Sequence, residues 1–369
     1  MPISTRVYRA IDSITGGKYW LFTSAIVLTA LALFFAFPSY NDIVTKEWDA
    51  LFAKAANPFA NSTHGAGTHE AKITFRLLVP LILHYTHLGI AGTLIFLGII
   101  GVLNFYMVVR LAFDMLQDKR QAFILGLCSA FIYFGKCSFI ELRGTMFDGI
   151  AIFLLLCAMN FRRPLLIALF VFLAAWCDER ALVGSILVWL YYMLRQQRGS
   201  IIQKSFSRHT ISVYAAWVAY AAVRYLLVRQ YGLTTSMEGV GLSVLLNQIN
   251  NIPMGIWSAL EGLWIPVLYA GIQLYRNKRY FEMLKYAGIC CIILLAGLMV
   301  VDITRSVVYL FPVVFAAVTV LQRYVSKEKL NQLLWFALIL CFVYPAYYTG
   351  GKSSIWWTYP LPLQMLRFI

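Results

Sequence analysis

Charge is what this 369-residue chain has least of: 13% of its residues are Asp, Glu, Lys or Arg, where a soluble domain averages roughly 25%. So few charges cannot cover a globular surface, which excludes an ordinary soluble enzyme. The 61% hydrophobic content excludes a disordered chain. The seven cysteines fall inside apolar runs or at their ends, and none forms a C-x-x-C pair. That pattern excludes a disulfide scaffold and a zinc-ribbon site, and it reads as small apolar residues packed in helices. A Gly-rich phosphate loop, an internal repeat, a low-complexity tract and a soluble domain are all missing. What is present is apolar sequence from end to end, with a mean hydropathy of +0.72. The chain therefore reads as one all-α, polytopic integral membrane domain over residues 1–369.

Eleven segments have the composition of a membrane span: 19–37, 89–113, 122–139, 147–161, 165–177, 181–194, 211–228, 256–275, 287–301, 307–321 and 333–348. The first follows Arg6, Arg9 and Lys18 and exceeds a signal-peptide core, so it reads as an uncleaved signal anchor. Alternate connections collect 19 of the 31 Lys and Arg but only five of the 16 acids, a balance of +14 out of the net +15. By the positive-inside rule that basic face is cytoplasmic. The excess charge is then a product of insertion and of contact with anionic lipid, and nucleic acid is not needed as a partner. The expected location is a cytoplasmic membrane with a cytoplasmic N-terminus.

The far face, near neutral, is where acids and arginines cluster. Its first loop, 38–75, contains a helical pattern over 42–56 that Asn57-Pro58 should end. Ile43, Val44, Trp48, Leu51, Phe52 and Ala55 make the apolar side of an interfacial helix, and Asp42 and Asp49 share the opposite side. Asp42 also suits the N-cap of that helix. His64, His69 and Glu70 follow, then Arg76, then His84 and His87. His69 and His84 beside acids are candidate ligands for a divalent metal such as Mg or Mn, although no familiar metal motif is matched. Later outer turns carry Glu141 and Arg143, then Asp148, then Asp178, Glu179 and Arg180. A second large outer segment spans about 229–256, and Asp302 and Arg305 separate two late spans. Mutual salt bridging would satisfy these mixed charges. Arginine also suits bidentate phosphate recognition, and a carboxylate can serve as base for an acceptor hydroxyl. The pairing points to group transfer from a lipid-linked phosphate.

These outer segments resemble the integral-membrane GT-C glycosyltransferases, particularly bacterial members that use polyprenyl-phosphate sugars. The resemblance rests on Asp42 and Asp49 after the first span, the helix through Trp48–Pro58, and Phe75-Arg-Leu-Leu-Val-Pro80. It continues in the hairpin opened by Met146-Phe-Asp148 and closed by Trp176-Cys-Asp-Glu-Arg-Ala-Leu182, and in Asp302–Arg305 followed by Pro312. The adjacent carboxylate pair of protein mannosyltransferases is absent, and so is the large C-terminal soluble domain of oligosaccharyltransferases. The resemblance implies an inverting sugar transfer on the extracytoplasmic face, from a polyprenyl-phosphate donor to a glycan, lipid or protein acceptor. Asp42 or Asp49 would be the base, and Arg76, Arg143, Arg180 or Arg305 would hold the donor phosphate. Glu70, Asp148, Asp178, Glu179 and Asp302 would support the acceptor. Two alternatives stay open: a polysaccharide polymerase or ligase using a diphosphate-linked glycan, and a lipid or solute transporter without chemistry.

Overall fold

The computed structural model describes residues 3–36, 45–61, 69–137, 147–196, 198–236, 238–344, 347–350 and 353–356. It is nearly all α-helix. Every one of the eleven apolar segments contains helix, because a backbone among apolar side chains must satisfy its own N–H and C=O groups. Polar caps set several boundaries. Asp118 accepts from Arg120 and Gln121 at the start of Lys119–Phe131, and Ser207 accepts from Thr210 at the start of Arg208–Tyr231. Gly232, at φ +62°, ends the latter helix in the left-handed conformation that glycine adopts without strain.

Five helical stretches are long and apolar enough to cross a membrane: Ile90–Leu116, Arg208–Tyr231, Ile249–Arg276, Tyr280–Leu298 and Ile303–Tyr324. Trp20–Phe35, Asp148–Asn160 and Pro164–Cys177 are apolar but shorter. Several of the eleven segments are broken, among them 181–194, whose shortness leaves a break or merger open. Residues 122–139 divide at Ile132, 181–194 at Ser185 and 256–275 at Glu261, while 307–321 passes through a 3-10 turn before Pro312. The final span ends at Val343. An antiparallel hairpin follows, with strands Tyr347–Gly350 and Ser353–Trp356.

Ile303–Tyr324 is the axis of the bundle and is buried along its apolar window. Around it lies one continuous core, from Ile11 through Phe134, Leu155, Leu190 and Phe315 to Cys341. The peripheral helices show apolar side chains outward, among them Ile95, Leu165, Val218, Leu268, Leu284 and Phe336, as a lipid-facing surface requires. Asp148–Asn160 and Pro164–Cys177 form an antiparallel hairpin packed on Ile90–Leu116 and Arg208–Tyr231. Its turn at 161–163 lies at one end of the bundle, and its open ends, Asp148 and Cys177, lie together at the other.

Candidate functional site

The open end of that hairpin gathers the charges that the sequence scatters over 230 positions. Asp148 opens its helix, where the positive end of the helix dipole favours a carboxylate. Asp178 ends the returning helix and caps the next, accepting from the Arg180 backbone N–H at 2.9 Å. Arg180 donates Nε to Asp178 Oδ1 at 2.9 Å and Nη2 to Asp178 Oδ2 and Asp148 Oδ1, both at 2.7 Å. Its Nη1 reaches the Ser306 hydroxyl at 3.2 Å.

From the central helix, Arg305 donates Nε to Asp148 Oδ2 at 2.5 Å and Nη1 to Asp302 Oδ2 at 3.4 Å. The Tyr309 hydroxyl donates to Asp148 Oδ1 at 2.8 Å. Arg76, just before the Leu78–Thr86 helix, places Nη1 2.9 Å from Asp178 Oδ2, as an ion pair out of line for a hydrogen bond. Asp148, Asp178 and Arg305 are almost fully buried, with side-chain exposures of 3%, 0% and 2%. Such burial is tolerable because the pairs are close and multiply hydrogen-bonded. Burial alone would raise the Asp178 carboxyl, but Arg180 and Arg76 outweigh it and hold it well below the usual carboxylate range. Desolvation works against the Arg180 charge in turn, and the two aspartates overcome it and raise that guanidinium.

Not every donor is used. Arg305 Nη2 is buried and has no hydrogen-bond partner among the described residues. Three guanidiniums here face Asp148 and Asp178, with Asp302 at the edge. Lys136, 1% exposed, brings a fourth cation 5.8 Å from the Tyr348 ring centroid. Tyr348 comes from the terminal hairpin and donates its hydroxyl to Asp302 Oδ1 at 2.5 Å, while Gly350 bridges the Asp302 backbone.

Beside the cluster, Glu179 pairs with Arg224 at 3.0 Å, and Arg224 lies 3.9 Å from the Phe75 ring centroid. Arg224 stands at the wall of an apolar groove of about 570 Å³ that includes Leu182, Ile186, Trp217, Ala221 and Val228. The groove opens along the exposed face of Arg208–Tyr231, where Val218 and Leu226 also point outward.

The sequence-expected residues divide into three groups. Arg76, Asp148, Asp178, Arg180, Asp302 and Arg305 converge, with Glu179 alongside. Asp49 does not join them: it is exposed on Thr45–Ala56, whose opposite face buries Trp48, Leu51 and Ala55. Asp42 and Arg143 lie outside the described residues, and so do the side chains of His69 and Glu70. The His84 imidazole Nδ1 is 2.8 Å from the Ala55 carbonyl, where it satisfies the end of the Thr45–Ala56 helix. No group of three or more His, Cys, Asp or Glu side chains converges as a metal site among the described residues.

Sequence reading missed Ser306, Tyr309, Lys136 and Tyr348. Tyr309 follows Arg305 by four positions, so helical spacing from that arginine could have found it. Lys136 and Tyr348 carry no such signal. No family model, curated protein or solved structure matches the chain.

Proposed function

We propose that this protein is an inverting membrane glycosyltransferase that takes its sugar from a polyprenyl-phosphate donor on the extracytoplasmic face. The observation that carries the reading is the guanidinium cluster of Arg76, Arg180 and the buried Arg305, whose Nη2 has no partner among the described residues, beside an apolar groove. A phosphate satisfies the spare donor, and the groove accommodates the isoprenoid chain. In the transfer, the acceptor oxygen attacks the anomeric carbon and forms the new glycosidic bond. The bond from that carbon to the phosphate oxygen breaks, its electron pair leaves with the phosphate, and the arginines neutralise the charge that develops. Asp42 or Asp49 takes the acceptor proton. Asp148 and Asp178, already occupied by arginines, orient the clamp. The eleven-segment layout and the GT-C-like order of the Asp148–Asp178 hairpin support the same reading.

The test is incorporation of radiolabelled sugar from polyprenyl-phosphate donor by purified protein. Undiminished transfer in an Asp42→Asn/Asp49→Asn variant would sink the assignment of the base, and no transfer with any such donor would sink the reading itself. Transfer only from a diphosphate-linked glycan would indicate a polymerase or ligase.

A specific observation also favours the transporter reading. Glu261 is fully buried at a break between Ile252–Leu260 and Trp264–Arg276, inside a span-length stretch. Broken helices with buried ionisable groups are how many transporters bind coupling ions. Solute flux in proteoliposomes without glycosidic product would favour that reading.

A further inference from the structure

At the end of the bundle opposite Asp148, the helices Ile90–Leu116, Ile186–Arg195 and Val313–Tyr324 finish together around a cavity of about 430 Å³. Its wall is mainly polar: Asp114, Met115, Arg195, Thr319, Gln322 and Arg323. Helix C-termini attract cations, so two arginines in these last turns have an ordinary electrostatic reason to be there. That reason does not account for how they are held. Arg323 Nη2 is buried with no hydrogen-bond partner among the described residues. Glu282, the buried acid on the neighbouring Tyr280–Leu298 helix, takes Lys204 at 3.0 Å and Arg279 on the same oxygen, Oε1, and its Oε2 has no hydrogen-bond partner among the described residues. Arg195 gives Nη1 to the Tyr191 hydroxyl at 2.7 Å and has no ion pair among the described residues. Asp114 lies exposed at the rim. The cavity therefore offers one buried guanidinium donor of Arg323, without a partner among the described residues, beside Arg195 in a partly open space of the size that small ligands occupy.

We propose that this cavity is a second ligand site, separate from the Arg305 cluster, which takes a phosphate group between Arg195 and Arg323. Planar guanidinium donors match tetrahedral phosphate oxygens, and the Gln322 amide adds a neutral donor. The phosphate can come from a small soluble ester or from an anionic lipid headgroup, since the site lies at the basic end of the bundle.

Thermal unfolding of the full chain in detergent, titrated with inorganic phosphate and glycerol 3-phosphate against chloride at matched ionic strength, tests the first source. Nanodiscs of phosphatidylcholine with and without phosphatidic acid test the second. A saturable stabilisation in either arm is expected, and the arm that responds identifies the source. Arg323→Gln and Arg195→Gln should each weaken it by at least about tenfold. Asp114→Asn, an exposed change that leaves the fold intact, should strengthen it by about threefold, because it removes a negative charge at the rim. Arg305→Gln serves as the background that removes any phosphate bound at the other end. The proposal is overturned if neither arm shows saturable stabilisation. It is equally overturned if the response in the Arg305→Gln background survives Arg195→Gln and Arg323→Gln unchanged, or ignores Asp114→Asn.

Discussion

The hairpin mouth and the helix break bury acids in opposite ways. Around Asp148, Arg180, Arg305 and Tyr309 all donate, at 2.5–2.8 Å. Around Glu261, neither carboxyl oxygen has a hydrogen-bond partner among the described residues, and the residue sits at φ +44° where the helix breaks. A buried carboxylate surrounded by donors keeps its charge, whereas one without donors is tolerable only as the neutral acid. The two regions thus show two ways to place an acid in an apolar interior: by compensation or by neutralisation. The neighbouring glycine underlines the tightness of the second site. A Cβ at Gly262 would lie 2.1 Å from the Ala337 carbonyl oxygen, so the Glu261–Leu263 turn and Lys327–Val343 meet there through bare backbone.

The contrast is most exposed at Asp148. Replacing Asp148 by Ala strips Arg305 and Arg180 of a shared carboxylate and should destabilise the fold by about 3–5 kcal/mol, read from unfolding in detergent. A loss under about 1 kcal/mol would mean that the cluster is not held by its charges.

The next effect is on transfer. Arg305→Gln should lower the rate with polyprenyl-phosphate donor by about 10²–10³-fold, the cost of removing a charged donor from a developing anion. Arg305→Lys should recover little of it, since an ammonium cannot reproduce the planar fork. Full recovery by lysine would reduce the site to a point charge.

Glu261 should behave differently. Glu261→Gln copies the shape of a neutral acid and should shift stability by less than about 1 kcal/mol. A loss as large as that at Asp148 would show that the carboxylate is ionised and paired.

Two pH effects complete the series. Asp178 is depressed in the fold, so its contribution is complete above the unfolded value of about 3.9 and is lost only as pH falls below it. Stability carried by this group should be flat across neutral pH, and a transition near neutrality that Asp178→Asn removes would contradict the pairing. Lys54, in the Thr45–Ala56 helix, is pushed down to about 8 by burial. The unfolded chain then holds the extra proton between about 8 and 10.4, so stability should rise gently with pH over that window. Lys54→Met should flatten the rise.

Much of the fold could be read directly. Apolar length marked the helical segments, Asn57 ended the Thr45–Ala56 helix as its Pro58 demanded, and Trp48 proved to be on its buried face. The breaks were less legible. Ser185 and Glu261 interrupt runs whose hydropathy is nearly continuous, and an apolar window cannot register a change of backbone angle at one residue. In the candidate site, residue type and position at helix ends singled out Arg76, Asp148, Asp178, Arg180, Asp302 and Arg305. Equal suspicion fell on Asp49, which the folded chain leaves exposed and apart from them.

By itself, then, the sequence determined the apolar solvent this chain is built for, its helical class, and which connections carry the excess of Lys and Arg. Those are properties of composition and of local periodicity, which need no partner from elsewhere in the chain. Tertiary structure decided which acid meets which arginine, that Tyr348 closes over Asp302, and that Arg305 and Arg323 each keep a donor without a partner among the described residues. Such pairings join residues up to 157 positions apart, and only the packing of the hairpin against the central helix brings them within reach.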